Sequence, residues 1–354
     1  MNKHASIAAM NELGAKGIPF FFMIDFEGKN LEVIPLDKLQ NQDILVNTPI
    51  YSNWTGQNSN DLREMMIQFE KYPISFQEYE LKFNRVIDEL NFGNTYLINL
   101  TQPTPIRTNF SLQEIFELSY ATFKLRFKDQ FVVFSPERFV EIREGKIYTH
   151  PMKGTIDATL PNAEKQLLDN QKELAEHYTI VDLLRNDLNL VAKKIRVNQF
   201  RYISKINTLS GSLLQASTEI CGDLAPDWKS QLGTIFSTLM PAGSVTGAPK
   251  KKTVEIIKAT ENYNRGWYTG VFGIFDGESV DSGVMIRFIE KTDGQLIFKS
   301  GGGITAKSTA RIEYEELIQK VYVPIAGNHK AGQRQTDKSN IPSEASRAQS
   351  KGII

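Results

Sequence analysis

Two Glu-x-x-Glu pairs, Glu173/Glu176 and Glu313/Glu316, fall in segments of helical periodicity. A three-residue separation places both carboxylates of a pair on one helix face. If the two helices met, four carboxylates would converge, which is costly unless a cation neutralises them. An all-oxygen donor set suits a hard ion such as Mg²⁺, which keeps waters and takes one or two protein carboxylates with anionic substrate groups. The same spacing also arises on solvated charged faces, so the pattern alone leaves both readings open.

In His150-Pro151-Met152-Lys153-Gly154-Thr155 a lysine stands between a proline and a glycine, just after an expected strand. Desolvation or a neighbouring cation would make Lys153 a nucleophile; a solvated turn would leave it an ordinary surface lysine. Glu137, in Ser135-Pro136-Glu137-Arg138-Phe139, would be a general acid if burial kept it protonated, or else an ion-pair partner of Arg138. The segment 241–250 (PAGSVTGAPK) has Gly-x-x-x-Gly and a proline ahead of its lysine, which fails the phosphate-loop pattern. It still offers backbone N–H groups and Lys250 before a helix, a setting suited to anions. Ser300-Gly301-Gly302-Gly303-Ile304 is read as a link from strand to helix whose backbone can approach a carboxylate closely, or as a plain turn. There is no Gly-x-Ser-x-Gly, no His-Glu-x-x-His and no dinucleotide fingerprint. The four histidines show no metal-ligand spacing, and Cys221 has no nucleophile setting.

The elements that must position these groups follow from periodicity and turn residues. Runs at 20–26 and 31–36 flank Glu27-Gly28-Lys29-Asn30 as a hairpin. The spacing predicts a helix over 76–90, with Tyr79, Phe83, Val86, Ile87 and Leu90 on one side. A strand over 95–100 is expected to stop at Pro103 and Pro105. Ser111, with Glu114 three residues on, reads as a capping box for a helix through residue 120. Strands are predicted at 131–134, 138–142 and 146–149, the last two joined across Glu144-Gly145. A charged amphipathic stretch occupies about 162–192, and strands begin at 203. Helices are expected at 230–239, 251–260 and 308 to about 321. Between the last two, a β-rich stretch from 268 to 300 turns at Asp276-Gly277 and Asp293-Gly294. Hairpins mixed with helices, without regular βα alternation, predict an α+β architecture rather than a doubly wound one.

Composition narrows the function. The 354 residues carry 41 Lys+Arg against 41 Asp+Glu, which removes the basic footprint of a nucleic-acid binder. A single cysteine, Cys221, cannot close an internal disulfide and gives no sign of an oxidising compartment. The longest apolar run, 18–24, falls short of the roughly 20 residues a spanning helix needs. No nucleic-acid or membrane partner is expected, and a cytoplasmic location is. Residues 326–354, without aromatics or periodicity, read as a disordered polar tail.

Taken in order, SPERF from Ser135, PMKGT from Pro151, Glu173/Glu176 leading into IVDLLRNDL, PAGSVTGAPK, VMIRF from Val284, SGGGI, and EYEE with Lys320 four residues beyond resemble the chorismate-utilising enzymes. GNTYLINLTQ from Gly93 extends the likeness. That family comprises anthranilate synthase component I, aminodeoxychorismate synthase component I, isochorismate synthase and salicylate synthase. The resemblance implies large mixed, mostly antiparallel β-sheets flanked by helices. It also implies a single chorismate-binding catalytic domain over 1–325, with a reduced N-terminal part at about 1–75.

Lys153 stands where the anthranilate, isochorismate and salicylate enzymes typically carry alanine, and so resembles the aminodeoxychorismate synthase component I branch. Anthranilate synthase component I, and a catalytically weak scaffold that activates a glutaminase, are the alternatives. In the lysine branch the amine attacks ring carbon 2 as the 4-hydroxyl leaves; ammonia then enters at carbon 4 and expels it. The product, 4-amino-4-deoxychorismate, leads to p-aminobenzoate and folate. The resemblance implies Glu137 as the acid, and Mg²⁺ on the ring carboxylate held by Glu176 and Glu316 with support from Glu173 and Glu313. It implies that Arg287, Tyr268, Lys320 and the N–H groups of Gly302 and Gly303 fix the enolpyruvyl carboxylate, with Thr155, Gly247 and Lys250 lining the pocket. Ammonia is expected from a separate glutaminase (amidotransferase) subunit. Three positions depart from the family: Leu97 for a usual glutamine, Lys205 for a frequent histidine, and Ser282-Gly283 for Thr-Ser.

Overall fold

The segment Phe20–Ile24 is apolar at every position, which only a strand buried on both faces requires. The computed structural model describes residues 3–56, 68–208 and 211–324, and there this strand is buried throughout. Phe20, Phe22 and Ile24 enter one hydrophobic cluster, and Phe21 and Met23 another, as the two-residue period of a strand dictates. Phe131–Ser135 repeats the pattern, with Phe131 and Val133 in the second cluster and Val132 and Phe134 in a third. The shared cluster lies between two sheets. Helices cover their outer faces, among them Gln171–Asn189 and Leu232–Leu239 on the first and Leu112–Leu118 on the second.

The first sheet runs in the order Met152–Asp157, Gly211–Asp223, Lys146–Thr149, Arg138–Arg143, Val280–Val284, Val271–Phe275, Phe20–Ile24, Leu31–Pro35, with Lys193–Thr208 paired to Gly211–Asp223. The second runs Gly247–Ala248, Leu97–Thr108, Gln295–Ile304, Phe288–Thr292, Phe131–Ser135, Phe123–Phe127, Ile44–Thr48, Tyr51–Ser52, with Phe69–Lys71 paired to Leu97–Thr108. Every strand pairing among the described residues is antiparallel. The α+β architecture expected from the sequence is the one observed. Three helices, Phe76–Phe92, Lys250–Glu261 and Ala310–Gln319, pack on Ile98, Leu100 and Ile304 of the second sheet. Ser75/Glu78 and Ser111/Glu114 both form the reciprocal capping box, the second as the sequence predicted.

Several elements differ from expectation. The strand Leu97–Thr108 runs through both prolines. The Pro105 carbonyl accepts the N–H of Tyr72, so its nitrogen faces the same side, beyond the end of the short Phe69–Lys71 strand, where a missing donor costs little. The glycine run lies inside the strand Gln295–Ile304 rather than in a turn. A Cβ on Gly301 would lie 2.5 Å from Thr101 Cγ2, so the neighbouring strand requires the missing side chain. The helix Lys3–Ala15 went unread because its buried face is Ser6, Met10 and Gly14. There Gly14 meets the Lys229 carbonyl, and Gly233 meets the Ile7 carbonyl, at distances that exclude a Cβ. The amphipathic stretch is two helices, Ala163–Asp169 and Gln171–Asn189, the second capped by Asn170. The strand expected from 203 begins at Lys193, and the expected tail at 326–354 lies outside the described residues.

One buried network ties the second sheet to the helices. Arg265 forms hydrogen bonds of 2.8 and 2.6 Å to the Glu261 carboxylate, both side chains being fully buried. Arg265 also donates to the Val245 and Asn99 carbonyls, while Glu261 accepts the N–H and hydroxyl of Thr101. Removing one partner strands a buried charge. Arg265→Leu is therefore expected to lower unfolding stability by about 3–5 kcal/mol in urea titration. An unchanged midpoint would show that the network is not needed.

Candidate active site

Two chain segments leave one sheet for the other at the same place, a third enters the first sheet beside them, and irregular backbone there points side chains inward. Between Phe131–Ser135 and Arg138–Arg143 stand Pro136 and Glu137; between Val280–Val284 and Phe288–Thr292 stand Met285, Ile286 and Arg287. The two crossings are stitched together: Val284 N–H donates to the Glu137 carbonyl, and Phe134 N–H donates to that of Arg287. The third, Tyr268 to Gly270, exchanges hydrogen bonds with Met285. Arg287 and Thr269 both adopt left-handed backbone, with φ of 51° and 63°, a costly conformation for a β-branched threonine. Arg265 contacts the Thr269 hydroxyl, which itself donates to the Tyr268 carbonyl.

These crossings open on a cavity of about 530 Å³. Its wall includes Glu137, Lys153, Thr155, Glu173, Glu176, Tyr268, Arg287, Gly302, Gly303, Glu313, Glu316 and Lys320. The two Glu-x-x-Glu helices thus face one space. Lys153 and Gly154 occupy a bulge in the strand Met152–Asp157, where the register to Gly211–Asp223 shifts. The bulge turns Lys153 toward Glu176, at 3.2 Å. Lys320 pairs with Glu316 at 2.7 Å and donates to the Gly301 carbonyl, and its own carbonyl accepts from Arg287. The Arg287 guanidinium lies 4.9 Å from the Tyr322 ring centroid.

Glu137 is half-buried, and its Oε1 accepts a 2.6 Å hydrogen bond from the Ser244 hydroxyl. Burial raises its carboxyl above the ordinary range; the Ser244 bond and the charges of Lys153 and Lys320 oppose the rise. Burial likewise pushes the Tyr268 phenol up. His177, fully buried beside Glu176, is pushed down to about 4 by burial and by the charges of Arg201 and Lys153. Its neutral ring shares a 2.6 Å hydrogen bond between Nε2 and Thr218, and Thr218 N–H donates to the Pro151 carbonyl. That link fixes the Glu173/Glu176 helix against the Lys153 strand.

Two predicted pocket residues lie elsewhere. Gly247 backs onto Leu97, whose carbonyl would be 1.9 Å from a Cβ there. Lys250 does not face the cavity: its ammonium is 2.9 Å from Asp187 and donates to the Leu239 carbonyl. Lys205 is exposed and is not on the cavity wall. Sequence reasoning missed Ser244 and Asn99, which are on it. Both sat in segments already singled out, 241–250 and the strand after Gly93, so the signal was present without the geometry.

The carboxylates fit a hard cation. Gly154 leaves space that a Cβ would fill 3.2 Å from Glu173 Oε2, and Gly302 does so 3.4 Å from Glu313 Oε2. Among the described residues no group of three or more His, Cys, Asp or Glu side chains is placed to hold a metal ion by itself. An ion that takes one or two protein carboxylates and completes its shell with water and substrate does not require such a group.

A family model described as chorismate binding enzyme matches residues 37–326. An uncharacterised PabA-like protein of Pasteurella multocida is 52% identical over 325 residues, 92% of this chain and 100% of that protein. The aminodeoxychorismate synthase component 1 of Bacillus subtilis is 32% identical over 65% of this chain and 51% of its own length. The solved anthranilate synthase component I of Streptococcus pneumoniae superposes with a TM-score of 0.60 at 23% identity, covering 74% of this chain and 60% of that one. It shares the fold. Among the described residues no helix is long and apolar enough to cross a membrane.

The bulge glycine is the more demanding of the two glycine contacts. Gly154 has φ of 82° and would place a Cβ 2.9 Å from Leu167, whereas Gly302 offers no contact under 3.4 Å. Gly154→Ala is expected to lose about 1–2 kcal/mol in denaturant unfolding, and Gly302→Ala clearly less. Equal losses would contradict the strained bulge.

Proposed function

The chain belongs to the chorismate-binding enzymes, and within them we propose that it aminates chorismate at the 4-position through a covalent bond to Lys153. The carrying observation is Lys153 itself, turned by a bulge onto the wall of a cavity that also holds Glu137. A direct exchange at carbon 4 would ask ammonia to enter as water leaves the same carbon. The lysine divides this into two allylic displacements. Its nitrogen bonds carbon 2, both ring double bonds shift by one position, and the protonated 4-hydroxyl departs as water. Ammonia then bonds carbon 4, both double bonds shift back, and the lysine leaves carbon 2.

Glu137, whose carboxyl burial raises above the ordinary range, is the acid that delivers a proton to the departing hydroxyl. Arg287 offers a planar fork for the enolpyruvyl carboxylate, alongside Tyr268, Lys320 and the Gly302 and Gly303 backbone. Thr155 lies at the exposed rim. Glu176 and Glu316, supported by Glu173 and Glu313, would hold Mg²⁺, which when bound supplies positive charge to the ring carboxylate. Ammonia would come from a separate glutaminase subunit, in keeping with the "component 1" name of the Bacillus subtilis relative. On this reading the enzyme is cytoplasmic and its product feeds p-aminobenzoate and folate synthesis.

Lys153→Ala is expected to depress amination by about 10³-fold or more with chorismate affinity nearly unchanged, by product mass spectrometry and equilibrium binding. Wild-type turnover would refute the covalent route, and a product that has lost pyruvate would assign an anthranilate-forming enzyme instead. Glu316→Ala is expected to abolish the Mg²⁺ dependence of turnover; an unaltered metal titration would remove Glu316 from the ligand set.

A further inference from the structure

The side chain held by Ser244 depends on a loop, 241–249, that carries no regular structure beyond a single 3₁₀ turn and two strand residues. One carboxylate grips both ends of it. Asp187, on the Gln171–Asn189 helix, pairs with Lys250 at 2.9 Å and accepts the backbone N–H of Gly243. The fit is close: a Cβ on Gly243 would lie 2.5 Å from Asp187 Oδ2. Lys250 also donates 2.7 Å to the Leu239 carbonyl, so one ammonium joins the start of the next helix to the end of the preceding one. Beyond Ser244, the Val245 carbonyl is held by Arg265 and by the Asn99 amide. Ser244 therefore sits between two clamps, and its hydroxyl has 2.6 Å to span to Glu137.

We propose that Asp187 and Lys250 are positioning residues for the acid, fixing the 241–249 loop so that the Ser244 hydroxyl meets the Glu137 carboxyl. The inference rests on the reading of Glu137 as the acid. Neither residue touches the cavity, so neither is catalytic. A buried ion pair suits the task because removing either member leaves the other charge unpaired, which makes the loop's place nearly all-or-none. Burial pushes Asp187 up and Lys250 down, toward their neutral forms, and the charge of each opposes the other's shift.

The groups acting on Glu137 are the Ser244 hydroxyl and the charges of Lys153 and Lys320. The hydroxyl donates to the carboxylate and so favours ionisation; without it Glu137 keeps its proton to higher pH. The test is the alkaline limb of kcat/KM for amination of chorismate, taken as a ratio to wild type at fixed free ammonia. Ser244→Ala, Asp187→Asn and Lys250→Met are each expected to move that limb up by about half a pH unit and to lower kcat about tenfold. In a Ser244→Ala background, Asp187→Asn should add nothing to the shift. If Asp187→Asn does not fold, Asp187→Leu with Lys250→Met removes both charges together and takes its place in the same cycle. A limb that stays put, or an Asp187 shift of equal size with and without Ser244, overturns the proposal. Full activity in Glu137→Gln would instead overturn the assignment of the acid, a failure recognisable on its own.

Discussion

Like charges gathered on one wall repel, and here each pair of glutamates is met by a lysine, Lys153 from a neighbouring strand and Lys320 from the C-terminal end of the same helix as Glu316. Lys153 reaches Glu176 and Lys320 reaches Glu316. Without such compensation, two acidic helix faces turned to one cavity would be pushed apart or would take up protons. The pairs remain partly exposed, so their separate contributions to stability are small. Their value is in position: they hold the four carboxylates, Lys153 and Lys320 on the wall of one cavity.

The rest of the structure supplies the rigidity that this balance needs. Regular strands cannot bring Glu137, Tyr268 and Arg287 to one point, because their side chains alternate between faces. The chain does so by passing between sheets twice in one region, beside the segment that enters Val271–Phe275, and bonding the three to each other. Strained backbone at Thr269 and Arg287 is held in place by the buried Arg265–Glu261 network and by the double-sided core around Phe21, Phe272 and Phe288. The glycine strand Ser300–Ile304 forms the opposite wall, where missing side chains let Glu313 and Lys320 come close to backbone.

Much of this was legible in the sequence. The capping residues, the hairpins at Glu144-Gly145, Asp276-Gly277 and Asp293-Gly294, and the two acidic helices follow from local chemistry, and local chemistry is written residue by residue. What escaped depends on contacts distant in the chain. Pro103 and Pro105 tolerate a strand only because a neighbouring strand is short, and no local rule encodes that. The Lys3–Ala15 helix buries small residues against a partner more than 200 residues away, so its face carries no apolar stripe. Lys250 looked like an anion ligand beside a glycine loop, yet Asp187 claims it. The crossings themselves left no mark beyond short gaps between apolar runs.

The central claim is a covalent bond between Lys153 and the substrate ring, and peptide mass mapping tests it most directly. The protein would be mixed with chorismate and Mg²⁺ while ammonia is withheld, quenched in acid and digested. The account predicts that the peptide containing Lys153 gains the mass of chorismate less one water, and that ammonium added before quenching removes the adduct. An unmodified Lys153 peptide, from protein that forms aminated product once ammonium is supplied, would contradict it.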